Sequence, residues 1–157
     1  MTREEKFMQE AIVLSQNGIT QNDGGPFGCV IVKDDKIVGR GSNTVTSSND
    51  PTAHAEIVAI RDACKNLGTF QLEGCEVYTS CEPCPMCLGA IYWARPKIIY
   101  FANTRQDAAN IGFDDSMIYD EISAAICDRK IPAIHLGREE ALKVFINWKN
   151  KTDKTLY

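Results

Sequence analysis

The sequence predicts an α/β protein, a three-layer α/β/α sandwich around a mixed five-stranded central sheet. Two observations predict this class. Amphipathic helical segments alternate with short apolar runs in the order α-β-β-α-β-α-β-α-β-α, which is typical of a sheet with helices on both faces. No repeat, low-complexity segment or linker interrupts the 157 residues, a length that suits one domain with a hydrophobic core. We therefore expect a single domain over residues 1–157.

The N-terminal half contains a helix, a hairpin and a second helix. Thr2 and Glu5 have the spacing of a capping box, and an apolar helical stripe follows them as far as Gly18. After the glycine-rich loop NDGGPFG, the runs CVIVK and KIVGRGS flank an Asp-Asp pair, which predicts two strands joined by a turn. Pro51 suits the first turn of a helix that continues through AHAEIVAIRDACKNL.

The C-terminal half supplies three more strands and three helices. CEVYTS and KIIYFA read as strands, and between them Pro83 opens a helix that runs to about Trp93. Residues 102–114 are expected to form a loop, followed by a short helix near SMIYDEISAAI. IPAIHL is the predicted fifth strand, and REEALKVFINWKN the last amphipathic helix.

Composition limits the location and the partners of the protein. The formal net charge of −4 disfavours a general nucleic-acid binder, which needs a basic face. The N-terminus MTREEKFMQE lacks the apolar core of a signal peptide. No apolar stretch approaches the roughly 20 residues that a membrane helix requires. We therefore expect a cytoplasmic protein without a membrane partner.

Seven cysteines in a reducing compartment indicate a metal or redox site rather than a disulfide framework. Cys81, Cys84 and Cys87 are equally spaced in YTSCEPCPMC. Because Glu82 precedes a proline, its backbone is disfavoured in the α region, which places Cys81 before the helix. Cys84 and Cys87 then share one face of the first turns, where the helix dipole favours thiolates. This pair is the better candidate for binding a metal.

The cysteines alone leave alternatives open. A thioredoxin-like redox pair also places C-x-x-C at a helix N-terminus, and three cysteines can simply pack as small buried residues. NDPTAHAEIVAI adds His54 and Glu56 at another helix start. Together with the cysteine pair, His54 makes three ligands and leaves a fourth position for water, as in catalytic zinc sites. By themselves, His54 suits a solvated or capping role, and Glu56 suits a first-turn residue that complements the helix dipole.

The spacing of His54 and Glu56 restricts their geometry. Two residues correspond to about 200° around a regular helix, so the two side chains do not share a face. They converge on one ion only if it lies ahead of the first turn. Two helix N-termini would then have to face the same ion.

This arrangement resembles the zinc-dependent nucleobase deaminases of the cytidine deaminase superfamily. Their signature of His-x-Glu followed by Pro-Cys-x-x-Cys matches HAE at 54–56 and PCPMC at 83–87. The resemblance implies a cytidine deaminase-like fold and one zinc ion per chain. It also implies that hydroxide generated at the zinc attacks the amine-bearing carbon of a base, with Glu56 as the proton shuttle.

Further segments are similar to the bacterial guanine deaminases within that superfamily. They are GGPFG at 24–28, Asn43 in GSNTVTSSNDPTAHAE, CEPCPMCLGAIYWARP, GFDDSMIY at 112–119 and the terminal Tyr157. The similarity weakens in AAICDRKIPAIHLGREEALKVF. The implied substrate is a free purine base, and the implied reaction converts guanine and water into xanthine and ammonia.

The resemblance also implies which residues contact the base. Asn43 would read a purine edge with its amide donor and acceptor. Phe27 and Trp93 would form apolar walls, although both also suit an ordinary core. Ala55 would offer its backbone N–H beside the metal.

Two further residues are expected to complete the site. Asp115 would help the leaving amine depart, although GFDDS also suits a turn that caps a helix. Tyr157 would belong to a C-terminal helix and tail, residues 138–157, that covers an active site. That site belongs either to the same chain or to its partner in a homodimer, with the segment exchanged.

Three other functions share part of this sequence pattern. A tRNA adenosine deaminase shares both motifs, but we would expect it to carry basic residues along an RNA groove. Cytosine or another amino-heterocycle remains open as the substrate. A non-catalytic zinc or redox module is disfavoured because Glu56 and the open ligand position would then have no purpose.

Overall fold

Four strands and seven α-helices form the structure, a computed structural model that describes residues 1–157. In chain order they are α1 Arg3–Thr20, β1 Gly28–Lys33, β2 Lys36–Ser42, α2 Val45–Ser48, α3 Ala55–Leu67, β3 Glu76–Cys81, α4 Pro85–Ala94, β4 Ile98–Asn103, α5 Arg105–Asn110, α6 Ser116–Ser123 and α7 Arg138–Asn150, with a 3-10 turn at Ile126–Asp128. The chain divides into two compact units, Met1–Asp115 and Ser116–Tyr157. No helix is both long enough and apolar enough to cross a membrane.

The sheet is mixed, as the sequence predicts. Its strand order is β2-β1-β3-β4, with β1 antiparallel to both of its neighbours and β3 parallel to β4. The turn between β1 and β2 places Asp34 and Asp35 at φ values of 48° and 61°. Two successive residues of positive φ match the twist of a tight hairpin, and aspartate tolerates this conformation better than most residues.

Helices cover both faces of the sheet. On one face, Cys29 and Ile31 of β1 and Val77 of β3 belong to a core with alanines of α3 and with Ile91 of α4. On the other, Val30, Val32 and Tyr78 pack against α1 through Phe7, Met8 and Leu14. This alternation of side chains between two cores confirms the predicted three-layer fold class.

Two glycines of β2 bring α3 unusually close to the sheet. A Cβ added to Gly41 would lie 2.2 Å from the carbonyl oxygen of Ala55, and one added to Gly39 would lie 2.5 Å from that of Ala59. Neither position has room for a side chain. The glycines therefore fix the first turns of α3 against the end of β2.

The sheet has four strands where the sequence predicts five. Residues 131–136, the IPAIHL segment, form no strand, and β4 lies at the edge of the sheet. A strand needs a neighbour with which it exchanges backbone hydrogen bonds, and an apolar pattern does not show whether the same chain provides one. The loop expected over 102–114 also differs, because it contains α5.

Glu76 anchors the amino end of β3. Its carboxylate accepts hydrogen bonds from Lys97 Nζ at 2.8 Å, Arg3 Nη1 at 2.8 Å and the Tyr78 hydroxyl at 2.6 Å. Burial opposes ionisation of this side chain, which is 9% exposed, but the three donors outweigh burial and lower the pKa of Glu76 to about 2. The network ties the start of α1 and the entry to β4 to the central strand.

We predict that Glu76→Gln removes about 3 kcal/mol of unfolding free energy at pH 7, since each pKa unit corresponds to about 1.4 kcal/mol. A carboxyl whose pKa is lower in the folded than in the unfolded state stabilises the protein at pH values above its unfolded-state pKa. That stabilisation is lost as pH falls through the folded pKa, so the difference from wild type should shrink between about pH 5 and pH 2. Urea unfolding across this range measures it. Glu73→Gln, on an exposed loop, is the control, and an equal effect of both variants would contradict the prediction.

Candidate metal centre and active site

Two helix N-termini carry the candidate metal ligands. His54 is the N-cap residue of α3, and Cys84 is the N-cap residue of α4. Both have extended backbone, and neither side chain makes a capping hydrogen bond to its own helix. The helix of Cys84 thus begins at Pro85, two residues later than the expected start at Pro83. Cys84 therefore lies just outside the helix, and Cys87 lies in its first turn.

The structure brings His54, Cys84 and Cys87 together. His54 Nδ1 lies 3.5 Å from each cysteine Sγ, and the three ligand atoms all lie within 4.8 Å of one another. In a tetrahedral site with zinc–nitrogen bonds of about 2.0–2.1 Å and zinc–sulfur bonds of about 2.3 Å, nitrogen and sulfur lie about 3.5 Å apart. The donor set and its spacing therefore fit zinc and leave a fourth position free of protein ligands.

Cys81 lies apart from this group. Its side chain is buried, and its Sγ contacts the carbonyl oxygen of Thr104 at 3.6 Å. Burial raises the pKa of the Cys81 thiol to about 11, which opposes the thiolate that a metal requires.

The two remaining cysteines have opposite pKa shifts. The hydrogen bond from the Cys87 thiol lowers the pKa of Cys84 to about 4 against the effect of burial, and His54 adds to the lowering. The same bond, together with burial, raises the pKa of Cys87. The hydrogen bond to Cys84 also raises the pKa of His54. A coordinating dication would favour deprotonation of both thiols.

Glu56 lies in the first turn of α3 and is 6% exposed. Its Oε1 accepts a hydrogen bond from the Thr79 hydroxyl at 3.2 Å. Burial raises the pKa of Glu56, and the neighbouring Cys87 lowers it by a smaller amount. A buried carboxyl beside three metal-ligand side chains is suited to taking up and releasing a proton.

Asn43 is buried at the end of β2, and the backbone holds its amide. Its Oδ1 accepts hydrogen bonds from the N–H groups of Gly25 at 3.2 Å and Val45 at 3.1 Å. A Cβ on Gly24 would lie 2.2 Å from the same oxygen, which explains the glycine. Both acceptor positions of Oδ1 are therefore used, and the Nδ2 donors remain for a ligand.

The predicted apolar walls differ in their surroundings. Phe27 packs edge-to-face against Phe113, with ring centroids 5.0 Å apart. The sequence reasoning did not single out Phe113, although its place in GFDDS, between a glycine and two aspartates, is a signal for it. Trp93, in the last turn of α4, is 66% exposed. Its assignment to the substrate stays a prediction.

Ala55, Asp115 and Tyr157 complete the predicted set. Ala55 is fully buried as the first residue of α3, where backbone N–H groups lack intrahelical acceptors. Asp115 lies 4.0 Å from Arg105, and burial raises its pKa, as does the negative charge of Cys84. Tyr157 belongs to the second compact unit and is 70% exposed, so its role also stays a prediction.

A three-layer fold with a His-Cys-Cys donor group at two helix N-termini defines a zinc-dependent deaminase domain. Residues 1–103 match the family model of the cytidine and deoxycytidylate deaminase zinc-binding region, and the chain belongs to this family. It is 54% identical over 153 residues to the guanine deaminase of Bacillus subtilis (strain 168), covering 98% of both chains.

Two further comparisons agree with this assignment. The X-ray structure of guanine deaminase from Bacillus subtilis superposes with a TM-score of 0.95 over 98% of each chain, at 54% identity. A tRNA-specific adenosine deaminase of Buchnera aphidicola subsp. Schizaphis graminum (strain Sg) is 35% identical over 132 residues, covering 83% of this chain and 85% of that protein. The resemblance found in the sequence is thus confirmed at the level of the family and its zinc-binding fold.

We predict that Cys84→Ser weakens zinc binding by more than the 10- to 100-fold that is typical for loss of an outer-shell partner, because a ligand itself is removed. Cys81→Ser is the matched control and should keep about one zinc ion per chain, since its thiol faces Thr104. Metal analysis after dialysis against a weak chelator measures both. Loss of zinc from the Cys81 variant would show that the wrong pair of cysteines has been assigned.

Proposed function

We propose that this protein hydrolyses guanine to xanthine and ammonia. The observation that carries the reaction class is the buried carboxyl of Glu56 beside a three-donor metal group with an open fourth position. The identity of 54% to the Bacillus subtilis guanine deaminase, across nearly the whole of both chains, supports guanine as the base.

The chain's own residues have separate tasks in this reaction. His54, Cys84 and Cys87 would hold the zinc ion, which supplies the Lewis acidity that activates water at neutral pH. Glu56 takes a proton from the attacking water and delivers it to a ring nitrogen of the base. The water oxygen bonds to the amine-bearing carbon. Its second proton then passes to the amine as the carbon–oxygen double bond forms, the carbon–nitrogen bond breaks and ammonia leaves. Asp115 is proposed to assist that departure.

The hydrogen bonding of the Asn43 side chain favours guanine over adenine. With Oδ1 held by two backbone N–H groups, the side chain has only donors left for a base. Guanine presents two neighbouring acceptors, N7 and O6, whereas adenine presents an acceptor beside a donor amine. In the proposed complex the base lies near Phe27 and Trp93 with the backbone N–H of Ala55 beside the metal, and Phe113 extends the wall formed by Phe27.

The proposed substrate is tested by measuring ammonia release from four compounds at equal concentration. They are guanine, adenine, cytosine and a tRNA anticodon loop. We expect release from guanine and little from the others. Deamination of the tRNA loop with guanine inert would instead support the function named for the Buchnera relative. Release from cytosine alone would also overturn the proposed base but leave the reaction class standing.

We predict that Glu56→Gln lowers turnover of guanine by at least the 10²- to 10⁴-fold that general acid–base catalysis typically contributes. The amide has nearly the shape of the carboxyl but cannot carry the proton. Zinc content should stay near one ion per chain, because Glu56 is not among the three donors. Retained turnover in the zinc-loaded variant would remove Glu56 from its proposed role.

We also propose that two copies associate by exchanging the C-terminal segment. Just before residues 138–157, Ile131, Ile134 and Leu136 are 82%, 88% and 90% exposed, and within these residues Phe145 of α7 is 74% exposed. Clustered exposed apolar side chains are typical of an interaction surface. Strand β4 offers a free edge with Phe101 half exposed, and a free edge can pair with a strand of another chain. The IPAIHL segment of one copy would then become the fifth strand of its partner.

A mixing experiment separates an exchanged tail from one that covers its own site. One parent carries Glu56→Gln, and the other lacks residues 153–157; each alone should turn over guanine poorly. We predict that refolding the two together restores activity, since the intact tail of the first parent then covers the intact site of the second. Light scattering should show twice the 17.4 kDa chain mass. A dimer without recovered activity would contradict the exchange.

We take residues 1–157 as one deaminase domain in which residues 138–157, ending at Tyr157, cover an active site. All seven cysteines are free, which supports the cytoplasmic location expected from the sequence.

A further inference from the structure

Thr79 is a buried hydroxyl in the centre of the sheet. It lies on β3, paired with Cys29 of β1 and Phe101 of β4, and is 1% exposed. Its side chain points to the same face as Val77, the face covered by α3 and α4. Valine has the same shape and would fill this position without a polar atom. A buried hydroxyl, by contrast, costs free energy unless it has a hydrogen-bond partner. The polar atom therefore needs an explanation other than packing.

The partners of Thr79 connect the sheet to the active site. Its Oγ1 lies 3.2 Å from Oε1 of Glu56 and 3.1 Å from the carbonyl oxygen of Cys81. Cys81 ends β3 and precedes the loop that carries Cys84. Both oxygens are acceptors and the hydroxyl has one proton, so it donates to only one of them at a time. An ionised Glu56 is the stronger acceptor of the two, because hydrogen bonds to charged groups are stronger than bonds to a neutral carbonyl.

We propose that Thr79 is a positioning residue that holds Glu56 for proton transfer. A hydroxyl that donates to Oε1 keeps this oxygen an acceptor, so the proton taken from water is carried on Oε2 and passes from there to the ring nitrogen. Hydrogen bonds to a charged carboxylate are stronger than bonds between neutral groups, and this one restricts rotation of a side chain that must face two reaction partners in turn. The inference rests on the proposed deamination.

The expected signature is a loss of kcat with KM nearly unchanged. The hydroxyl of Thr79 has no hydrogen bond to the residues proposed to bind the base, and its partner Glu56 is assigned to proton transfer, so substrate binding should persist when the hydroxyl is removed. We expect Thr79→Val to lower kcat by about 10- to 100-fold, the cost of a misplaced catalytic group, and to change KM less than about threefold. Zinc content should remain near one ion per chain.

Two matched pairs isolate the hydroxyl. The first pair is wild type and Thr79→Val, whose side chains have the same shape and differ only in the hydroxyl. The second pair is Thr79→Ser and Thr79→Ala, which are smaller and again differ only in the hydroxyl. We expect the serine variant to recover most of the turnover that the alanine variant loses. The second pair decides the question if the valine variant does not fold. Ser80→Ala is the control, because this neighbouring buried hydroxyl bonds the N–H of Gly28 and should affect stability without lowering kcat.

A double-mutant cycle on stability adds a readout that needs no substrate. Thr79→Val should shift the urea midpoint of unfolding more in wild type than in a Glu56→Ala background, because only the first retains a carboxylate that loses its donor. Equal shifts in both backgrounds would show that the two side chains are uncoupled and would overturn the inference. So would wild-type kcat in the zinc-loaded valine variant. Absence of guanine turnover in the wild type would contradict the proposed function instead, while the cycle would still decide the Thr79–Glu56 contact.

Discussion

The site depends on the convergence of two helix N-termini beside the carboxyl end of β3. Helix α3 reaches this point because Gly39 and Gly41 let it lie against β2, and α4 reaches it because only three residues separate it from β3. Both N-caps leave their side chains free of capping bonds, so His54 and Cys84 face each other. Two positive helix ends also favour the negative charge that thiolate ligands bring. Backbone packing thus determines where a metal can bind.

The two ends of β3 show how the surroundings determine the behaviour of a buried glutamate. Glu76, at the amino end, has three donors from different elements, and they lower its pKa to about 2. Glu56, packed beside the carboxyl end, accepts a hydrogen bond from the Thr79 hydroxyl, and burial raises its pKa although its own backbone N–H and Cys87 act in the opposite direction. The first therefore stays charged and holds the fold together. For the second, burial outweighs the hydrogen-bond donors, which suits it to the proton exchange proposed for it.

Much of the fold could be predicted from local patterns, because helices and strands have different apolar periods. Spacing favours Cys84 and Cys87 over Cys81 but leaves their role open. The resemblance to the His-x-Glu and Pro-Cys-x-x-Cys signature indicates His54, Cys84 and Cys87 as ligands, and the structure brings these three side chains together. Helix α5 was missed although Thr104 and Asp107 form a capping box that the sequence displays. The contacts of Asn43 with Gly25 and of Thr79 with Glu56 could not be predicted, because these partners lie 18 and 23 residues away along the chain. The prediction of a fifth strand at IPAIHL was wrong for a related reason, because a strand forms only beside a neighbouring strand with which it can pair.

The two hydrogen bonds to Oδ1 of Asn43 fix the orientation of its side-chain amide. An unrestrained asparagine amide can rotate by half a turn and exchange donors for an acceptor, and so tolerate ligands of either polarity. Here the N–H groups of Gly25 and Val45 prevent that rotation. With Asn43 in its proposed role, the range of bases depends on the main chain around residues 24–25 and 44–45 as well as on the side chain itself. A natural or engineered enzyme of relaxed base preference would be expected to differ in those loops while keeping the asparagine.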